Sequence, residues 1–176
     1  MERDLLSVNE DYIYARIAEA LSDGLLAIEL FKRGFSRNSA GKAFSAVKAL
    51  LSALVIKYND KLVEIAKDEE ERKWIMSKAH IVTTHSMKTL SMYLEKIGIS
   101  VDTAVNLALD LHEYQYNGFE PDFSPYGKKD EVKNDMIKVI NQIIQIIRQN
   151  FEIKDEEILR LKEKLKDGLE KFSKMN

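Results

Sequence analysis

The sequence predicts an all-α fold, a single up-and-down bundle of six or seven helices, on three observations. Apolar residues recur at i, i+3, i+4 and i+7 along most of the 176 residues, the spacing that lines one face of an α-helix. No alternation of period two is sustained, so no half-buried strand is expected. Both prolines, Pro121 and Pro125, fall in one stretch, LDLHEYQYNGFEPDFSPYGKKDEV (residues 109–132), and nothing of that kind interrupts the rest. At 45% hydrophobic, residues 1–176 form one helical domain able to bury a core without staples.

The first helix is expected over residues 9–33. Asn9 or Asp11 opens it, and Ile13, Ile17, Leu21, Leu25, Ile28 and Phe31 share one face. Gly34 can adopt the left-handed conformation that ends it, and Ser36 or Ser39 can cap the next. That second helix, 38–58, completes a hairpin. Its small residues, Ala40, Gly41, Ala43, Ala46, Ala49 and Ala53, allow close backbone approach and suggest a central position. A bend is expected in the solvated run between Lys67 and Glu70, with helix resuming through Trp74, Ile75 and Ala79. Thr83 or Thr84 caps a helix ending at Gly98, and Ser100 caps the next, with Asp102 favourably placed in its first turn. A long isoleucine-rich helix runs from Asp130 to about Asn150, and an amphipathic one occupies residues 154–176.

Several chemistries are absent from the sequence. There is no cysteine, hence no disulfide, thiolate metal site or thiol nucleophile. The 27 basic and 29 acidic side chains are interspersed, giving a net charge of −2 and no strong signal for DNA or for a membrane surface. The N-terminus lacks the apolar segment of a signal peptide, and no wholly apolar run is long enough to span a bilayer, so a cytoplasmic location is expected. The charged, Lys/Glu/Ile-rich helices lean toward a thermophile. GFSRNSAGKA ends like a phosphate loop but has six residues between its glycines and Ala43 where Ser or Thr is needed. His80 and His85 are five apart, a poor metal pair, and neither a metal nor a cofactor is expected.

The 109–132 stretch is open to two readings. On a helix, His112 and Tyr116 share a face while Tyr114 points away, which sets an imidazole beside a phenol. Alternatively Tyr114, Tyr116, Phe119, Phe123 and Tyr126 form an aromatic plug over the bundle end, with Phe119 and Phe123 buried and Lys128 and Lys129 exposed.

The segments LLAIELFKRGFSRNSAGKAFSAVKALLSALV and LALDLHEYQYNGF resemble the archaeal PaREP family, a branch of the HEPN superfamily. The first matches its Ala-rich hairpin and the second the Leu-His motif closing a later helix. The resemblance implies an up-and-down bundle that forms a homodimer. It also implies, in many members, a metal-independent ribonuclease with an Arg-x4-6-His motif. Here His112 would be that histidine, with Tyr114 in the His-x-Tyr position. The arginine's place holds Val105, Asn106 or Leu107, and Arg72 lies too far ahead of His80. An arginine would stabilise charge developing on the phosphate.

The expectation is therefore a non-catalytic module that binds a partner protein, a nucleotide or RNA, with His112, Tyr114, Tyr116 and Arg37 as candidate binding residues. The alternative is a toxin-like ribonuclease using His112 with Arg33 or Arg37. In the C-terminal helix, Ile158, Leu161, Leu165, Leu169 and Phe172 form an apolar seam. With Ile143, Ile144 and Ile147 next to it, this seam is expected at or near a two-fold interface.

Overall fold

The computed structural model describes residues 2–78 and 80–175, with side chains placed from residue 9 onward. Among the described residues eight α-helices follow one another: α1 (Glu2–Lys32), α2 (Ser36–Lys57), α3 (Asn59–Glu64), α4 (Glu69–Lys78), α5 (Met87–Lys96), α6 (Asp102–Asn117), α7 (Lys129–Asn150) and α8 (Glu156–Ser173). A single 3₁₀ turn, Thr84–Ser86, leads into α5. No strand occurs among the described residues. The count exceeds seven because residues 59–78 divide into two short helices. The break falls slightly earlier than the charge run suggested, at Ile65–Asp68. There the Asp68 carboxylate accepts from Glu71 N at 2.8 Å, and the Glu71 carboxylate accepts from Lys67 N at 2.5 Å. The first bond satisfies one of the N–H groups that opening α4 leaves unpaired, and the second ties the chain just before the helix back onto it. Ala79 lies outside the described residues.

The core forms around α2, which packs along α1 and also meets α5, α6 and α7. Ala40, Ala43, Ala46 and Ala53 are wholly buried, so short side chains bring neighbouring backbones close. α2 is long and apolar enough to cross a bilayer by length and composition; its central place explains that character, since most of its surface is covered by its own bundle. The α1–α2 turn closes at Gly34 (φ +88°), where Phe35 N donates to Leu30 O at 2.9 Å and Gly34 N to Phe31 O at 3.0 Å. This Schellman-type closure requires the left-handed residue that glycine supplies.

Three expected caps are corrected. Helix α1 begins before Asn9, so neither Asn9 nor Asp11 caps it. Ser36 and Ser39 do not cap α2: the Ser36 hydroxyl meets the Tyr114 hydroxyl at 2.8 Å, and Ser39 Oγ donates to Ala27 O at 2.6 Å. At α6 the cap is Glu95 of the preceding helix, accepting from Val101 N at 2.7 Å and Asp102 N at 3.0 Å, instead of Ser100. At α2 distant partners claimed the serines, and at α6 a carboxylate from the end of the preceding helix took the serine's place. Asp155 does cap α8, accepting from Ile158 N at 3.0 Å.

The C-terminal seam turns inward. Ile158, Leu165, Leu169 and Phe172 are buried, chiefly against α1. Leu165 methyls reach to within 3.3 Å of where a Cβ would stand on Gly24, and the Phe172 ring meets Phe31 edge-on at 5.4 Å. Ile143 and Ile147 are fully buried, and only Ile144 of that cluster reaches the surface. The apolar surface expected at a two-fold contact is thus spent inside one chain. Between α7 and α8 a groove of about 560 Å³ remains, lined by Ile144, Gln145, Arg148, Lys162, Lys166 and Leu169 among others.

Candidate functional site

Residues 118–128 connect α6 to α7 without a strand, and the aromatic side chains there divide into two sets. Tyr114 and Tyr126 are buried and meet edge-on at 5.6 Å, forming the true plug. Tyr114 is anchored by Ser36; Tyr126 donates to Asp135 Oδ2 at 3.0 Å. Burial first, then the Asp135 charge, pushes the Tyr126 phenol far above its ordinary range, so it stays a donor. Burial and the Asp135 charge also push the Asp110 carboxyl up.

Phe119 and Phe123 depart from expectation. They are 43% and 68% exposed, not buried, although Phe119 leans one edge on Tyr114 at 5.0 Å. Lys128 and Lys129 are exposed as expected. The two interior positions of the plug are filled by tyrosines that find polar partners, which leaves the phenylalanines outside. Phe35, at the α1–α2 turn, and Tyr116 are also exposed, at 58% and 65%.

Arg37 ties these two chain segments together. Its Nε donates to Gln115 O at 2.8 Å and its Nη2 to Tyr116 O, and its stem lies about 4 Å from the Cβ position of Gly118. These are carbonyls of the last turn of α6, the negative end of the helix, where a guanidinium is favoured. Arg37 is therefore a clamp on the end of α6. Phe35, Tyr116, Phe119 and Phe123 consequently belong to one end of the bundle, on a backbone held by Arg37, Ser36 and Gly118 (φ +61°).

His112 lies one turn before the end of α6, half-buried. Its ring stacks on Phe44 of α2 at 4.0 Å, and Tyr116 meets it edge-on at 5.1 Å. Its Nδ1 is shielded from solvent with no hydrogen-bond partner among the described residues. Of the four candidate residues, the structure joins His112 with Tyr116, assigns Arg37 to the helix end and places Tyr114 in the core. Tyr114, in the His-x-Tyr position, points away from His112 as expected, because residues two apart on a helix face different sides. Arg33 is exposed and pairs with Glu29 at 2.8 Å. Neither arginine considered for catalysis is directed at His112 by its bonds.

Phe35 escaped the sequence reading. A large aromatic directly after a helix-ending glycine was the available signal.

The model of the archaeal PaREP1/PaREP8 family matches residues 15–137, from α1 into α7. No curated protein matches the chain. No solved structure matches it either.

Proposed function

We propose that this chain, which belongs to the archaeal PaREP1/PaREP8 family, is a non-catalytic interaction module that docks a partner protein on its aromatic end. The observation carrying this is the exposure of Phe35, Tyr116, Phe119 and Phe123 on a backbone that Arg37 and Tyr114 hold fixed. Exposed aromatics on a rigid base lose little conformational entropy on binding, and aromatic residues dominate binding hot spots. Arg33 and Arg37 are engaged by Glu29 and by the carbonyls closing α6, which supports a binding role over RNA cleavage. The reading takes the chain as HEPN-like and homodimeric. The groove between α7 and α8 is the surface left for a second copy, and sedimentation at micromolar concentration tests that part separately.

The second reading, a metal-independent ribonuclease, has one observation in its favour: the unfilled Nδ1 of His112 beside the exposed Tyr116. One experiment compares the two. Wild type, Phe123→Ser and His112→Ala are each incubated with mixed RNA and, separately, used to capture proteins from an archaeal lysate. We expect a protein retained by wild type and lost with Phe123→Ser, with the RNA intact. Cleavage that disappears in His112→Ala would overturn the interaction module in favour of the nuclease.

A further inference from the structure

Residues 97–127 hold Asp102, Asp110, Glu113, Glu120 and Asp122 but no lysine or arginine, although 27 such side chains are spread over the rest of the chain. Folding sets three of these carboxylates among the exposed rings of the aromatic end. Glu113 lies one turn before Tyr116 on α6. Asn117 Nδ2 donates to Glu113 Oε2 at 3.3 Å and to Phe123 O at 3.2 Å, so one amide ties a carboxylate to the Phe123 backbone. Glu120 follows Phe119 and Asp122 precedes Phe123, in a turn closed by Glu120 O, which accepts from Phe123 N at 3.1 Å and Ser124 N at 2.9 Å. All three acids are exposed, and none forms an ion pair among the described residues. Of the cations bordering this end, Arg37 is engaged by the carbonyls closing α6, Arg33 by Glu29, and Lys129 lies over the Phe31 ring. Lys128 stands exposed beyond Tyr126.

Elsewhere the chain covers its rings with its own cations. Lys57 lies 4.9 Å from the centroid of Phe151, Lys78 5.8 Å from Trp74, Lys96 5.1 Å from Tyr93 and Lys133 5.2 Å from Phe172. Among the described residues no cation lies over Tyr116, Phe119 or Phe123, although these rings are more open to solvent than Tyr93 or Phe172. The negative character of this side of α6 also shows one turn before Glu113. There burial first, then the Asp135 charge, pushes the Asp110 carboxyl up, with Lys88 opposing and Glu113 adding.

We propose that the partner docked on the aromatic end presents arginine or lysine among apolar side chains. This rests on the docking reading above and adds the partner's chemistry to it. A guanidinium or ammonium is drawn to the electron-rich face of a ring, and here each vacant ring has a carboxylate beside it in the chain or one turn away. Apolar side chains of the same segment cover the remaining ring surface, while the carboxylates at the rim set partner choice and association rate. The same carboxylates repel a polyanion, so they disfavour RNA at this end.

Amide shifts of the full chain test this with three short acetylated peptides, in which leucine alternates with arginine, glutamine or glutamate, and with a single-stranded RNA oligomer. We expect the arginine peptide to shift residues 113–124 and to bind roughly fivefold or more tightly than the glutamine peptide, with the glutamate peptide weakest. Raising salt from about 0.1 to about 1 M, which shortens the screening length from about 10 to about 3 Å, should remove most of that preference. The double variant Glu120→Lys with Asp122→Lys, at two exposed positions, should weaken the arginine peptide by roughly fivefold or more without weakening the glutamate peptide. Phe123→Ser should weaken the arginine and glutamine peptides alike. An arginine peptide that binds residues 113–124 no more tightly than the glutamine peptide, or that ignores the double charge reversal, overturns the proposal. If the glutamine peptide still binds there and Phe123→Ser abolishes it, the docking reading survives that failure. RNA-induced shifts at residues 113–124 would overturn both. Self-association of the chain alone that Phe123→Ser abolishes would give this end to a second copy and also refute the proposal.

Discussion

Replacing His112 by phenylalanine should make the protein more stable. The imidazole Nδ1 is shielded and unpartnered, while the ring stacks on Phe44 at 4.0 Å and meets Tyr116 at 5.1 Å. A buried polar atom without a partner costs ~1–3 kcal/mol. The lower end applies because the rest of this half-buried ring keeps contact with water. Phenylalanine removes that cost and preserves both aromatic contacts, each worth ~0.5–1.5 kcal/mol. The expected gain is ~0.5–1 kcal/mol for His112→Phe, against a loss of ~1–2 kcal/mol for His112→Ala, which forfeits the contacts. With a urea m-value of ~2 kcal/mol/M, the phenylalanine variant's midpoint should rise by ~0.3–0.5 M. The order phenylalanine, histidine, alanine marks a position where the native residue is kept at the expense of stability, as functional residues often are. If His112→Phe instead loses more than ~1 kcal/mol, the imidazole nitrogens carry a structural bond and the reasoning fails.

Three other outcomes follow from the packing and the hydroxyl network. A double-mutant cycle between Tyr114→Phe and Ser36→Ala should give a coupling of ~0.5–1.5 kcal/mol, measured by urea unfolding, since their hydroxyls meet at 2.8 Å; no coupling would mean that this bond does not anchor the α6 end. Leu165→Ala should cost ~2–5 kcal/mol, because the side chain is fully buried against Gly24; a loss under ~1 kcal/mol in thermal or urea melts would show α8 to be loosely docked. Burial first, then the Glu71 carboxylate, pushes the Tyr93 phenol up to about 12, so the folded state holds its proton after the unfolded chain has lost it. Stability should therefore be intact below the ordinary phenol value of 10.0 and fall as pH rises toward about 12, and Tyr93→Phe should flatten that part of the fall in an alkaline titration of the melting temperature.

The helices were legible because their signals are periodic and local. Ala40 to Ala53 announced a central helix before any partner was known, Gly34 announced its turn, and Asp155 announced the start of α8. Where a local signal competed with a distant one, the sequence misled. Ser36, Ser39 and Ser100 are good cap residues, yet Ser36 and Ser39 were claimed by Tyr114 and Ala27, which only the folded chain brings near, and the place of Ser100 was taken by Glu95 from the end of the preceding helix. The aromatic loop failed in a related way. Composition shows five aromatic rings but cannot rank them for burial, and the ranking was settled by hydrogen bonding. Tyr114 found Ser36 and Tyr126 found Asp135, and this gave two tyrosines the interior.

The same logic bears on the apolar seam of α8. A stripe of Ile158, Leu165, Leu169 and Phe172 must be covered, but the sequence does not say by what. Gly24 answers that question, because a glycine on α1 leaves room for Leu165 and draws α8 onto its own chain. Of the isoleucine cluster and seam residues proposed for a two-fold contact, Ile143 and Ile147 are buried and only Ile144 borders the open groove with Leu169. A dimer through this face would have to rest on the groove's polar rim, Gln145, Arg148, Lys162 and Lys166, with Ile144 and Leu169 at its floor. The aromatic end offers four large exposed rings against one partly exposed isoleucine in the groove, so it is the stronger docking surface of the two. A homodimer that survives Ile144→Glu but dissociates with Phe123→Ser would locate self-association there, and would make the partner on that end a second copy of the chain.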